Sequence, residues 1–148
     1  MLSEYDPEAK PRGGMFPPYP AGDILSEGQI PYAFAWRKIR DSGARVCFST
    51  DWPVVPVDTM MTVAGAVYGA ELPAPWTDNR QTLLETLASY TRDNAWLEFN
   101  EHRKGALKTG YMGDVTVLDR NLFETPSELI SEARISATVC GGAVTYRS

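Results

Sequence analysis

Residues 45–56, RVCFSTDWPVVP, decide how the fold is interpreted. The first five residues of this stretch form a short apolar-leaning run, with the length and composition of a buried β-strand. The run ends in Thr50, followed by the carboxylate of Asp51, the indole of Trp52 and a proline. A charged side chain directly after a buried strand is either a turn residue or a functional residue, so Asp51 is the first candidate for chemistry.

The residues on either side predict helices that cover this strand. Before it, residues 32–39 place apolar side chains on one face of a helix, and Gly43 supplies the stop signal. After it, Asp58 is a suitable N-cap for a helix over residues 59–68. A helix, a tight glycine turn and a short buried strand form one step of an α/β protein. Asp51 is therefore expected at the carboxyl end of a strand.

The second half of the chain predicts a longer helix and then an antiparallel β module. Thr82 and Glu85 have the spacing of a capping box, and the helical pattern runs to about residue 99 with a break near residues 93–94. Further on, residues 115–118 alternate as a strand, and residues 135–146 form a hairpin around a Gly-Gly turn. The inward face of the predicted helix consists of Leu83, Leu84, Leu87, Ala88, Thr91, Ala95 and Phe99.

Composition and charge exclude several classes of partner. The 148 residues are 43% hydrophobic and 22% charged, as in a single globular domain, and the net charge of −5 disfavours nucleic acid. No apolar run reaches the roughly 20 residues of a membrane span, so no membrane partner is expected. Cys47 and Cys140 lie in apolar runs and are expected to be free, buried thiols. No secretory signal pattern precedes them, which favours a reducing cytoplasm.

Four stretches, in this order along the chain, resemble the C-terminal part of the amidohydrolase superfamily, in the branch called amidohydrolase family 3. The glycine-spaced third stretch, before a terminal Gly-Gly hairpin, is the most specific of them. The stretches are YAFAWRKIRDSGARVCFSTDWPVVPVD (32–58), QTLLETLASYTRDNA (81–95), HRKGALKTGYMGDVTVLDRN (102–121) and ATVCGGAVTY (137–146).

The resemblance implies a fold class of α/β plus β. Residues 32–100 would form the end of a (β/α)8 TIM barrel whose last strand is residues 45–49, and residues 101–148 would form the C-terminal part of a small β-sandwich. Residues 1–31, rich in proline and glycine, would form a loop or tail. The chain would then be the C-terminal quarter or so of a longer hydrolase.

The resemblance also implies roles for single residues. Asp51 matches the family's acid after the final barrel strand, where it contacts the metal or the metal-bound hydroxide and acts as the proton shuttle for metal-activated water. Trp52 is a candidate wall of the substrate pocket, although an indole beside a turn is more often a packing residue. His102 is outside the family's metal set and is expected in a solvated linker. Asp114, before a strand, is expected to be a turn residue.

The predicted function is part of a metal-dependent hydrolase that acts on non-peptide C–N bonds of amide, urea or N-acyl substrates. The cofactor of the full-length enzyme would be a divalent metal, with zinc favoured. Because one histidine and Asp51 cannot make a zinc site, this chain alone is expected to be inactive and metal-free. The expected small-molecule partner is the substrate of the full-length enzyme. The expected protein partner is either the N-terminal part of the enzyme or a second copy of this chain. Self-association is expected through the open sheet edge or through the helix face of Val63 and Val67. The alternative is a non-catalytic binding or oligomerisation module.

Overall fold

Helices occupy the first part of the described chain and a β-sheet the last part. The computed structural model describes residues 26, 28–32, 35–68 and 78–148, so the predicted tail and Gly69 lie largely outside it. The elements are a 3-10 helix (Ile30–Tyr32), α1 (Trp36–Asp41), α2 (Thr59–Val67), α3 (Leu83–Tyr90), α4 (Arg92–Leu97), β1 (Val115–Leu118), a 3-10 helix (Ser127–Glu132), β2 (Ile135–Cys140) and β3 (Ala143–Arg147). No helix in these ranges is long and apolar enough to cross a membrane.

Helix α2 is the centre of the apolar core. Asp58 caps it as predicted, because its carboxylate accepts a hydrogen bond from the backbone N–H of Met60 at 3.0 Å. Val63 is 1% exposed and packs inside the chain, and Val67 of the same face is partly buried against this core. Self-association through the face of Val63 and Val67 stays a prediction. The buried cluster joins α2 to the segment around the second 3-10 helix and consists of Met60, Val63, Ala64, Leu122, Ile130 and Ala133.

The capping box at the start of α3 is confirmed. The Thr82 hydroxyl accepts from the Glu85 N–H at 3.2 Å, and the Glu85 carboxylate accepts from the Thr82 N–H at 2.9 Å. The break between α3 and α4 falls at Thr91, two residues before the predicted position. At that junction the chain turns and begins a second short helix.

The inward face predicted for this helical pair is wrong in part. Leu84 and Phe99 are 68% and 84% exposed, whereas Ser89 and Asp93 are buried. Apolar periodicity missed this face because it packs against residues 44–50, whose polar backbone groups need hydrogen-bond partners. The Ser89 backbone carbonyl on α3 and the Asn94 side chain on α4 supply those partners.

Residues 45–49, called the extended segment below, belong to no helix or strand, so the predicted barrel strand is not formed within the described ranges. The strands present there, β1 to β3, pair with one another. Helical residues satisfy the extended backbone instead: Phe48 N–H donates to the Ser89 carbonyl at 3.4 Å, and Asn94 Nδ2 donates to the Phe48 carbonyl at 2.9 Å. Arg40 Nη2 also donates to the Val46 carbonyl at 3.3 Å.

The C-terminal β module is confirmed as one antiparallel sheet in the order β1-β2-β3. Val115 pairs with Val139 across β1 and β2, and Thr138 pairs with Tyr146 across β2 and β3. Every residue of β3 is exposed, so this strand is an open edge. A second sheet, which a β-sandwich requires, is not formed by the residues that the structure describes.

The two cysteines are free, as predicted, but only one is partly covered. Cys47 is half-buried in the extended segment. Cys140 is exposed, contrary to the prediction of a buried thiol, because it is the last residue of β2 and borders the solvent-facing hairpin turn.

Replacing Gly105 by alanine is expected to lower the free energy of unfolding by about 2 kcal/mol. Gly105 has φ +88, and an added Cβ would lie 2.6 Å from the Ala95 Cβ. Gly110 has the same φ but no atom within 4 Å of an added Cβ, so Gly110→Ala should cost only the backbone strain, about 1 kcal/mol. Urea denaturation gives the free energy of unfolding of both variants. The difference between their losses is the cost of the close contact between the added Cβ and Ala95. Equal losses would contradict close packing of Gly105 against α4.

Candidate functional site

The extended segment delivers Asp51 into a tight turn at its end. Asp51 has φ +51, in the left-handed region, and its carbonyl accepts from the Val54 N–H at 2.8 Å. Aspartate tolerates this conformation better than most residues, although it still costs free energy. The carboxylate is exposed, at the position where the sequence predicted a candidate acid.

The Asp51 carboxylate makes no hydrogen bond or ion pair with any residue in the described ranges. A carboxylate that stabilises a turn or a helix start accepts hydrogen bonds from nearby backbone N–H groups. Asp58 does this for α2, whereas only the backbone of Asp51 takes part in its turn. The Asp51 side chain is therefore available to a ligand or substrate.

The Asp51 turn is followed by exposed apolar side chains. Trp52, Val54 and Val57 are 68%, 67% and 71% exposed. An exposed indole beside a free carboxylate could contact a substrate or a second protein surface. The structure therefore places both predicted site residues, Asp51 and Trp52, side by side on the surface, and the role of Trp52 stays a prediction.

Several polar residues that sequence reasoning missed hold the segment leading to Asp51. Besides the bonds from Ser89 and Asn94, the ring of Tyr90 packs on Phe48 with centroids 5.8 Å apart. The Tyr90 hydroxyl donates to Thr62 Oγ1 at 2.6 Å, and burial raises the pKa of this tyrosine. The sequence signal that could have found these residues is the polar face of α3 and α4 beside a predicted strand.

Cys47 is not an activated nucleophile. Burial chiefly, and then the negative charge of Asp93, raises the pKa of its thiol, and its Sγ donates to the Asp93 carbonyl at 3.2 Å. A thiol with a raised pKa carries little of the reactive thiolate at neutral pH. Thiol chemistry therefore does not explain the site.

The other acid and the histidine of the predicted linker do not join Asp51 in a metal site. Asp114 accepts from the Gly141 N–H at 2.7 Å, so it links β1 to the hairpin turn, and His102 lies exposed in a turn. Among residues whose placement is described, no group of three or more His, Cys, Asp or Glu side chains could hold a metal. A hydrolytic zinc needs about three protein ligands, so the residues present do not fit one.

The chain matches known proteins over nearly its whole length. The model of the amidohydrolase family (Amidohydro_3) matches residues 8–146. YtcJ of Bacillus subtilis (strain 168), which carries the name of an amidohydrolase, is 27% identical over 129 residues, covering 84% of this chain and 24% of YtcJ. Protein LONG AFTER FAR-RED 3 of Arabidopsis thaliana is 25% identical over 131 residues, covering 85% of this chain and 22% of that protein. The chain thus spans about a quarter of the length of these curated relatives.

A solved structure shares the fold. The crystal structure of an amidohydrolase from Thermotoga maritima MSB8 superposes with a TM-score of 0.59 at 19% identity, covering 94% of this chain and 30% of that chain. The two proteins therefore share the arrangement of the backbone over this part of the chain. With a family model matching residues 8–146, the chain belongs to the amidohydrolase family.

Proposed function

We propose that this chain supplies the C-terminal part of a hydrolase that cleaves non-peptide C–N bonds in amide, urea or N-acyl substrates. In this proposal Asp51 accepts a proton from the attacking water and returns it to the nitrogen of the leaving amine. The observation that carries it is that the Asp51 carboxylate is exposed and has no partner among the described residues. The resemblance in sequence matches this residue to the family's acid.

Family membership supports hydrolysis in general. Members of the amidohydrolase family are hydrolases and are generally metal-dependent. A carboxylate suits proton transfer in such a reaction because it is ionised at neutral pH and can accept and then release a proton. The exposed indole of Trp52, adjacent in the chain, is proposed to form one wall of the substrate pocket.

Asp51 is the one described residue that we assign to a metal, and Asp51 alone does not make a metal site. The remaining ligands would come from the rest of the family fold, on the same polypeptide or on a partner chain. We use "the complete enzyme" for the protein or assembly that unites this chain with that part. Zinc, contact between Asp51 and the metal, and a barrel completed around residues 45–49 belong to this proposal.

The surface that would meet the rest of the fold is the exposed apolar patch of Trp52, Val54 and Val57. Apolar side chains grouped in this way typically mark an interaction surface. The open edge of β3 is a second surface that could recruit a strand from a partner or a second copy. Since both cysteines are free, a reducing cytoplasm is the proposed location.

The same patch favours a second candidate function, a non-catalytic binding or oligomerisation module. An exposed apolar surface with one carboxylate needs no chemistry to bind a partner. Turnover therefore separates the two functions.

The test compares the complete enzyme with the 148-residue chain. Each would be dialysed, loaded with zinc, analysed for bound metal and assayed for amine release from N-acyl amino acids, simple amides and substituted ureas. We expect stoichiometric zinc and turnover only in the complete enzyme. The absence of turnover in the zinc-loaded complete enzyme would favour the non-catalytic module. Tightly held zinc or turnover in the 148-residue chain would show that the site has been assigned wrongly.

A further inference from the structure

A cleft of about 410 Å³ lies where α1, the start of the extended segment and α4 meet. It combines three guanidinium groups with one carboxylate, which leaves two positive charges in excess. In a chain of net charge −5 this is a local reversal of sign. The lining residues are Arg40, Gly43, Ala44, Arg45, Arg92 and Asp93.

The cleft's one carboxylate is shared among its three arginines. The Asp93 side chain is 3% exposed and lies 3.0 Å from Arg92 Nε, 3.9 Å from Arg40 Nη2 and 4.0 Å from Arg45 Nη1. The two longer distances exceed those of hydrogen bonds. Asp93 therefore hydrogen-bonds to one guanidinium and neutralises only part of the charge of the other two.

Two of the arginines have unused donors that face solvent. Arg45 is 45% exposed and makes no side-chain hydrogen bond to any residue in the described ranges. Its guanidinium lies 4.7 Å from the centroid of the Trp96 ring, which restrains it by stacking. Arg92 is 63% exposed and uses only Nε. Planar guanidinium groups with free donors are suited to binding the oxygens of an anion.

We propose that this cleft binds the phosphate group of a small phosphomonoester. The two excess positive charges match a dianionic phosphate, and the volume lies in the range of about 300–1,000 Å³ typical of small-molecule sites. A monocarboxylate would leave one positive charge unmatched. This inference goes beyond the proposed function, since the cleft lies at the opposite end of the extended segment from Asp51 and none of its residues is assigned to hydrolysis.

The test titrates the 148-residue chain with inorganic phosphate at pH 8 and constant ionic strength, followed by calorimetry and by the NMR signals of the arginine Nε–H groups. We expect saturable binding that shifts the Arg45 and Arg92 signals. Arg45→Gln and Arg92→Gln should each weaken binding about tenfold or more, the effect of losing one charge-assisted contact. Arg147→Gln, on exposed β3, makes the same charge change away from the cleft and should bind as the wild type does.

Circular dichroism confirms that each variant is folded, and acetate serves as the monoanionic comparison. Unshifted Arg45 and Arg92 signals would overturn the proposal, as would equal weakening by Arg147→Gln, which would indicate a general charge effect. Binding of acetate as tight as that of phosphate would overturn the dianion assignment.

Discussion

Asp51→Asn is expected to lower the turnover number of the complete enzyme about 10²–10⁴-fold, the usual contribution of a general acid–base residue. The amide keeps the size of the side chain but cannot accept a proton from water at neutral pH. Asparagine also tolerates the left-handed conformation at φ +51, so the turn should keep its shape. Initial rates of amine release at saturating substrate measure the loss.

Asp114→Asn is the matched control for this variant. Its side-chain oxygen can still accept from the Gly141 N–H, and the charge change is the same. Turnover of this control should equal that of the wild type, with unchanged free energies of unfolding for both variants. An Asp51→Asn enzyme as fast as the wild type would remove Asp51 from the reaction.

Among the variants proposed for stability measurements, Asp93→Ala should lose the most free energy of unfolding, about 3 kcal/mol. Removing one partner of a buried ion pair typically costs about 3–5 kcal/mol, and the exposure of Arg45 and Arg92 places this case at the lower end. Arg40, whose side chain is only 15% exposed, would lose its nearby carboxylate. Urea denaturation at neutral pH gives the change in the free energy of unfolding.

Asp41→Ala is the control for the Asp93 variant. Asp41 pairs with Arg37 at 3.0 Å, but both side chains reach solvent, and exposed pairs contribute about 0–1 kcal/mol. A loss for Asp93→Ala as small as that for Asp41→Ala would contradict a structural role for the buried carboxylate.

The helix caps and the hairpin turn were predicted correctly from short stretches of sequence. Asp58 caps α2 through a residue two positions away, and Thr82 and Glu85 cap α3 across three positions. The Gly-Gly hairpin likewise depends on adjacent residues. Such interactions lie within one turn of the chain, so residue types and spacing are sufficient to predict them.

Interactions between distant residues could not be predicted in this way. The Ser89 carbonyl and the Asn94 side chain hold Phe48 from more than 40 positions away, and these contacts satisfy the backbone of Phe48. Among the described residues, residues 45–49 do not pair as the predicted strand, since a strand depends on neighbours elsewhere in the chain.

The candidate site also has features that the sequence predicts and features that depend on the fold. The sequence placed Asp51 at the end of an extended segment, and the resemblance supplied its role. The sequence could not show that the carboxylate has no partner among the described residues, because this depends on what the fold brings near it. The arginine cleft depends in the same way on α1 and α4 meeting around Asp93.

The most direct test of the central claim is the position of Asp51 relative to bound metal in a crystal structure of the zinc-loaded complete enzyme. Anomalous scattering at the zinc edge locates the ion independently of activity. The account predicts an Asp51 carboxylate oxygen about 2.0–2.2 Å from zinc, or within about 3 Å of a zinc-bound water. A fully ligated zinc site with Asp51 pointing away from both would contradict the account.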